Sequence, residues 1–259
     1  MLDRNRIIAK LTETLEPLPH VCALWLEGAD ALGSVDEYSD IDFWVDVKDA
    51  YEGRAYEDVE NALRSLADID YRHVMQHEHP KIRQRIYHLA GTSAYLMIDF
   101  CWQLHSRPKT ENIFYVDDRV EAAKVLFDKG DIIRSRPLVL PYPSDANAAR
   151  LKDAKYRRTQ SMRIEKYVLR GQYLEAYAYY NRYALEPLID LLRLIYTPAH
   201  ADYYLVHISR HIPKAEKDKL EYFAQIGSID DIREKTPQAG VWFDALVKKV
   251  HAAENGEPL

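Results

Sequence analysis

Asp40 and Asp42 stand one residue apart in Ser39-Asp40-Ile41-Asp42, at the mouth of an apolar run from Phe43 to Val47. Successive side chains of a strand point to opposite faces. The spacing therefore puts both carboxylates on one face and Ile41 and Phe43 on the other. Two carboxylates side by side repel each other unless a cation lies between them. Such an oxygen pair is what Mg²⁺ takes, above all when phosphate supplies the remaining ligands. A third acid, Asp99, is the single carboxylate of Ala94–Trp102 (AYLMIDFCW). Burying it unpaired is costly, so it needs a partner or a metal. Taken alone it reads equally well as a strand-end aspartate reaching solvent. With Asp40 and Asp42 upstream, the metal reading is favoured.

The elements that position these acids are legible around them. Leu24-Trp25-Leu26 ends at Gly28, and a small-residue segment, Ala29 to Ser34, follows. The order is strand, tight turn with a helical start, loop, strand. Ile7, Ile8, Leu11 and Leu15 recur at helical spacing and predict a helix over 3–15 ended by Pro17 and Pro19. Val59, Leu63 and Leu66 predict another over 54–67. Residues 70–77 and 81–89 read as strands, 94–102 as a buried central strand, and 125–127 as an edge strand.

Pro137, Pro141 and Pro143 mark the best boundary, giving a first domain of 1–140 and a second of 141–259. Beyond it the pattern is helical. Asp145 is the expected N-cap of a helix to about Arg170, ended by Gly171. A second helix spans 172–196, kinked or split at Pro187. Pro213 opens a third, and 229–251 holds one or two more divided near Pro237. The expected class is α+β, a mixed sheet followed by an all-α bundle.

The 259 residues carry a net charge of −6 and are 47% hydrophobic, enough for a sizeable core. The charge is uneven. Residues 1–140 hold 25 acidic against 17 basic side chains, and residues 141–259 hold 16 against 18. No Lys/Arg run suggests a duplex nucleic-acid partner. Cys22 and Cys101 lie in apolar runs and are expected as buried free thiols. The N-terminal stretch reads as a charged amphipathic helix rather than a signal peptide, and no apolar run approaches a membrane span. A cytoplasmic protein without membrane contact is expected.

The run Gly28-Ala29-Asp30-Ala31-Leu32-Gly33, then Ser39-Asp40-Ile41-Asp42, with Asp99 on a later apolar strand, resembles the signature of the DNA polymerase β-like nucleotidyltransferase superfamily. In layout it is similar to the aminoglycoside and lincosamide nucleotidyltransferases. The strong resemblance covers about 20–47 and 94–102. It implies that Asp40, Asp42 and Asp99 are catalytic and hold Mg²⁺. It implies that an NTP, with ATP expected, lies on the Gly28–Ser34 turn, and that AMP passes to a hydroxyl of a small, aminoglycoside-like acceptor with release of pyrophosphate. Asp99 would complete a second metal site or take the acceptor proton. The family usually has Ser where this chain has Ala29. Backbone amides and Gly28 would still receive phosphate, with Ser34 or Ser39 as substitute hydroxyls. The helical domain is expected to complete the substrate cleft, with Lys166 as its basic residue near the phosphates.

Arg157, Arg158, Arg163 and Lys166 share one predicted helix, which is more often a solvated face. Glu165 is a lesser candidate base. Tyr173, Tyr177, Tyr180 and Tyr183 form a stripe, more often core than a stacking wall. His77 and His79 read as solvent-facing and His207 and His211 as structural. Two other functions stay open: nucleotide transfer to a protein or RNA of the antitoxin type, and a non-catalytic nucleotide-binding regulator. Chain length and the lack of a basic stripe oppose the first. Ala29 alone supports the second.

Overall fold

The computed structural model describes residues 2–139 and 145–256. The chain divides into two compact units, Met1–Leu138 and Val139–Leu259. Pro141 and Pro143 of the expected boundary, and 257–259 at the end of the chain, lie outside the described residues.

The first unit opens with α1 (Arg4–Leu15), capped by Asp3, whose carboxylate accepts the Arg6 amide at 2.9 Å. It continues through β1 (Val21–Leu26), α2 (Gly28–Leu32), β2 (Ile41–Val47), α3 (Glu52–Arg64), β3 (Ile69–Met75), β4 (Ile82–Leu89) and β5 (Ile98–Leu104). β6 (Ile113–Val116), β7 (Lys124–Asp128) and β8 (Arg134–Pro137) complete it. The main sheet has the order β3-β4-β5-β2-β1-β7, with β6 and β8 paired separately. β2 and β5 are parallel, and the other neighbours in the main sheet are antiparallel.

Period-two alternation divides this sheet into two unlike faces. Leu24, Leu26, Phe43, Val45, Phe100 and Trp102 pack with Ile7, Leu11 and Leu15 of α1 and Val59 and Leu63 of α3 in one core. At roughly 1.5–3 kcal/mol per large apolar side chain, this face supplies most of the unit's stabilisation. The opposite face carries Asp42, Trp44 and Asp46 from β2, in register with Asp99, Cys101 and Gln103 from β5.

Two details differ from the sequence reading. β5 starts at Ile98, not Ala94. Residues 93–97 form a turn in which the Leu96 amide donates to Ser93 and the Met97 amide to Tyr95. The strand then runs past Trp102 to Leu104, because the buried Gln103 amide finds Asp46 on β2 at 2.8 Å. Asp40 precedes β2 rather than lying within it. Of the two thiols, Cys101 is buried and Cys22 half-buried, and both are free.

The second unit comprises α4 (Asp145–Thr159), α5 (Met162–Leu169), α6 (Tyr173–Tyr180), α7 (Glu186–Tyr196), α8 (Ile208–His211), α9 (Lys214–Ala224) and α10 (Ile229–Glu254). The single helix expected over 145–170 is two, broken at Gln160 and Ser161. There the Thr159 hydroxyl competes for the backbone by donating to the Tyr156 carbonyl, and Ser161 Oγ accepts from the Arg158 side chain. Before Pro187 the helix widens into a π turn over Asn181–Leu185, the local cost of a proline without an amide donor. Pro237 does not divide α10. A proline in a helix interior costs about 3 kcal/mol. The buried stripe Ile232, Trp242, Phe243, Leu246 and Val250 outweighs that. Among the described residues no helix is long and apolar enough to cross a membrane. The architecture is α+β, a mixed sheet and a helical unit.

Candidate functional site

Glu27 follows β1, and the chain turns at Gly28, whose φ of +56° is the left-handed region where a side chain is strained. Space makes the same demand. A Cβ on Gly28 would lie 2.0 Å from Asp42 Oδ2, so the Asp42 carboxylate rests directly against the turn. The Glu27 amide donates to the Asp42 carbonyl at 3.0 Å, locking the turn to β2. No side chain caps α2, and Gly33 ends it at φ +67°.

Asp42 pairs in register with Asp99 across parallel strands about 4.8 Å apart. Asp40 and Asp99 line one open cleft of about 480 Å³ with Tyr71, Ile86, His88 and Met97. Burial, and then the neighbouring Asp40 and Asp99, push the Asp42 carboxyl up to about 7. Burial also raises Asp99, while Gln84 opposes this by donating to both its oxygens at 2.8 and 2.7 Å. Among the described residues no donor reaches the carboxylate of Asp40 or Asp42. A half-buried acid beside two others, with no donor, could hold a cation.

The oxygens of Asp40, Asp42 and Asp99 do not close into a tight cage. Among the described residues the one such trio within 4.8 Å is Cys22, Asp46 and His105. Mg²⁺ suits the looser set. It dehydrates reluctantly and is usually held by one or two carboxylates with water and substrate phosphate completing the shell.

The other candidates are placed as follows. Ala29 is in the first turn of α2 and presents a methyl group where a hydroxyl was considered. Ser39 Oγ donates to Asp36 at 2.8 Å and accepts the Asp36 amide, so it holds its own loop. Ser34 is exposed just past Gly33, its amide bonded to the Ala29 carbonyl. Lys166 is exposed on α5 of the second unit, 5.5 Å over the Tyr167 ring. The expected basic cluster is split: Arg157 is on α4, ion-paired with Asp153, Glu186 and Asp190, and is structural. Of the tyrosine stripe, Tyr180 is buried and donates to the Phe223 carbonyl at 2.9 Å. His211 bonds Arg193, a structural role.

Three residues join the site unforeseen. Glu27 has its carboxyl pushed up to about 8, first by burial and also by Glu121 and Asp42, while Trp25 Nε1 donates to it at 2.8 Å. Its signal was alternation, since Trp25 and Glu27 share a face. Gln84 had the same kind of signal on β4. Arg4 had none. From α1 it ion-pairs with Asp30 on α2 and donates to the carbonyls of Ser39 and Asp40, clamping the acidic loop.

No protein-family model matches the chain, and no curated protein matches it. Among solved structures the chain is similar to an aminoglycoside 6-adenyltransferase from Bacillus subtilis. The identity is 12% over all of this chain and 94% of that one, with a TM-score of 0.41. It is also similar to a spectinomycin adenyltransferase from Enterococcus faecialis, solved with ATP and spectinomycin. That match has 12% identity over 96% of this chain and 100% of that one, with a TM-score of 0.34. Both are adenyltransferases. At these TM-scores the likeness is too loose to argue chemistry from, so the functional reading rests on the acids and the glycine turn.

Proposed function

We propose that this chain is a Mg²⁺-dependent nucleotidyltransferase that moves AMP from ATP to a hydroxyl of a small, aminoglycoside-like molecule. One observation carries the reading: a half-buried carboxylate without a donor among the described residues, Asp42, pressed against a glycine turn and in register with a second acid, Asp99.

In this reading Asp40 and Asp42 hold Mg²⁺, which when bound neutralises the triphosphate and the charge developing at the α-phosphorus. Gly28 lets phosphate approach the backbone closely, and the uncapped amides at the start of α2 receive it. Ala29 adds no hydroxyl, so those amides do the holding. Gln84 fixes both oxygens of Asp99, whose raised pKa suits it to take a proton. The acceptor oxygen attacks the α-phosphorus, its proton passes to Asp99, and the bond to the β-phosphate oxygen breaks to release pyrophosphate. Arg4 keeps the Ser39–Asp40 loop in place throughout.

The test is a pyrophosphate-release screen with ATP, Mg²⁺ and a panel of aminoglycosides and other hydroxylated amines. The expected result is acceptor-dependent release that falls more than about 1000-fold in Asp42→Asn with the fold retained. Release that Asp42→Asn leaves intact would refute the assignment.

A further inference from the structure

Four residues along β2 from Asp42, on the same face, stands Asp46, about 13 Å away at strand rise. Its side chain is 2% exposed. The three strand segments that meet at this end each bring a different ligand type. β1 carries a register shift between Val21 and Ala23, an extra residue that re-aims Cys22. β2 brings Asp46. The residue after β5 is His105, whose backbone amide is pinned to the Val47 carbonyl at 2.8 Å. One ligand atom from each of Cys22, Asp46 and His105 lies within 4.8 Å of the others.

We propose that Cys22, Asp46 and His105 form a second metal site, distinct from the Asp42 site and of zinc class. The donor set decides the metal. Sulfur, nitrogen and oxygen together suit Zn²⁺ and not Mg²⁺, which wants oxygen alone. Charge closes as well: thiolate and carboxylate supply −2 against the +2 ion, and the imidazole stays neutral. The geometry is near. Tetrahedral bonds of about 2.0–2.3 Å put ligand atoms roughly 3.3–3.8 Å apart. The His105 Nδ1–Asp46 Oδ1 pair, now 2.6 Å, opens slightly to admit the ion.

An orienting shell is already built. Gln103 donates to the other Asp46 oxygen at 2.8 Å, and Arg107 holds Gln103 by its Oε1 at 2.6 Å. Ligating carboxylates are fixed in this way. Half-exposed His105 leaves the fourth position open to water. The site ties β1, β2 and β5 together at one end, while the acids of the other end remain free for substrate.

The experiment titrates the reduced, metal-stripped full chain with Co²⁺ and then Zn²⁺, following thiolate-to-cobalt charge-transfer absorption. The expected result is saturation at one ion per chain, bleaching by one equivalent of Zn²⁺, loss in Cys22→Ser, and affinity at least about tenfold weaker in His105→Ala. Asp42→Asn keeps the band, which separates this site from the proposed Mg²⁺ site. A second readout needs no variant: Zn²⁺, and not Mg²⁺, slows alkylation of Cys22 by at least about tenfold. Absence of the band in the wild-type chain means Cys22, Asp46 and His105 only hydrogen-bond one another, and overturns the proposal. So does a band that survives in a folded Cys22→Ser, or Cys22 alkylation that Zn²⁺ does not slow.

Discussion

Asp42 and Asp46 occupy the same strand and the same face, yet their surroundings are opposite. Asp46 accepts from Gln103 and His105 and has a thiol beside it. Asp42 has no donor among the described residues, and its neighbours are two more acids and a glycine with no side chain to offer. One alternating strand thus carries two unlike carboxylates on one face. At one end the carboxylate is held by side-chain donors and fixed. At the other it is left without a donor among the described residues, which costs stability that a bound cation would offset.

The largest effect should come from the unsatisfied end. The Asp42 carboxyl rises from an ordinary 3.8 to about 7 on folding. The folded chain therefore binds an extra proton between those values. Stability is full below about pH 4 and is lost as pH rises through about 7, by up to about 4 kcal/mol. Glu27, raised to about 8, acts in the same direction. Thermal unfolding across pH in a metal chelator should show this fall. Asp42→Asn should remove Asp42's share, and Mg²⁺ should restore stability at pH 8. A wild-type curve with no fall over this range would break the contrast with Asp46.

Next in size is Gly28→Ala. It forces a side chain into a left-handed φ and onto Asp42 Oδ2. A loss of about 2–3 kcal/mol and of at least about 100-fold in kcat/KM is expected. Urea unfolding and steady-state kinetics check the two together. Smaller is Gln84→Leu, which removes the amide that donates to both Asp99 oxygens. Without it the Asp99 carboxyl rises further, so the acid limb of the pH–rate profile should move to higher pH, with kcat down about tenfold. Kinetics across pH settle it, and an unmoved limb would take the base role from Asp99. From the opposite end, His105→Ala should leave transfer within about threefold, since its partner Asp46 lies four residues along β2 from Asp42.

Much of this site could be read in the sequence because its main signals are local. Gly28, Asp40 and Asp42 fall within fifteen residues, and the turn and alternation follow from residue type. Asp99 stood out as a lone charge among apolar neighbours. What was not legible depends on pairing between distant strands. Gln84 lies opposite Cys101 and reaches Asp99 only once β4 and β5 are in register. Gln103 lies just beyond the predicted strand 94–102, and its partner Asp46 is 57 residues away. Ala94–Met97 looked like strand by apolarity, but Tyr95 turns outward to meet Tyr38 edge-on at 5.1 Å, and pairing with β2 begins at Ile98. In the helical unit the two prolines behave differently. At Pro187 the helix is interrupted as expected, through a π turn just before it, whereas Pro237 is tolerated because long-range packing decides the outcome.

The central claim is that Asp42 is unsatisfied because a phosphate-bound cation completes it. The most direct measurement is thermal unfolding with ATP, with and without Mg²⁺, for the wild-type chain and Asp42→Asn, with no acceptor present. ATP should raise the wild-type unfolding temperature strongly only with Mg²⁺, and that Mg²⁺-dependent part should vanish in Asp42→Asn. Stabilisation by ATP that is equal without Mg²⁺, or that Asp42→Asn retains in full, would contradict it.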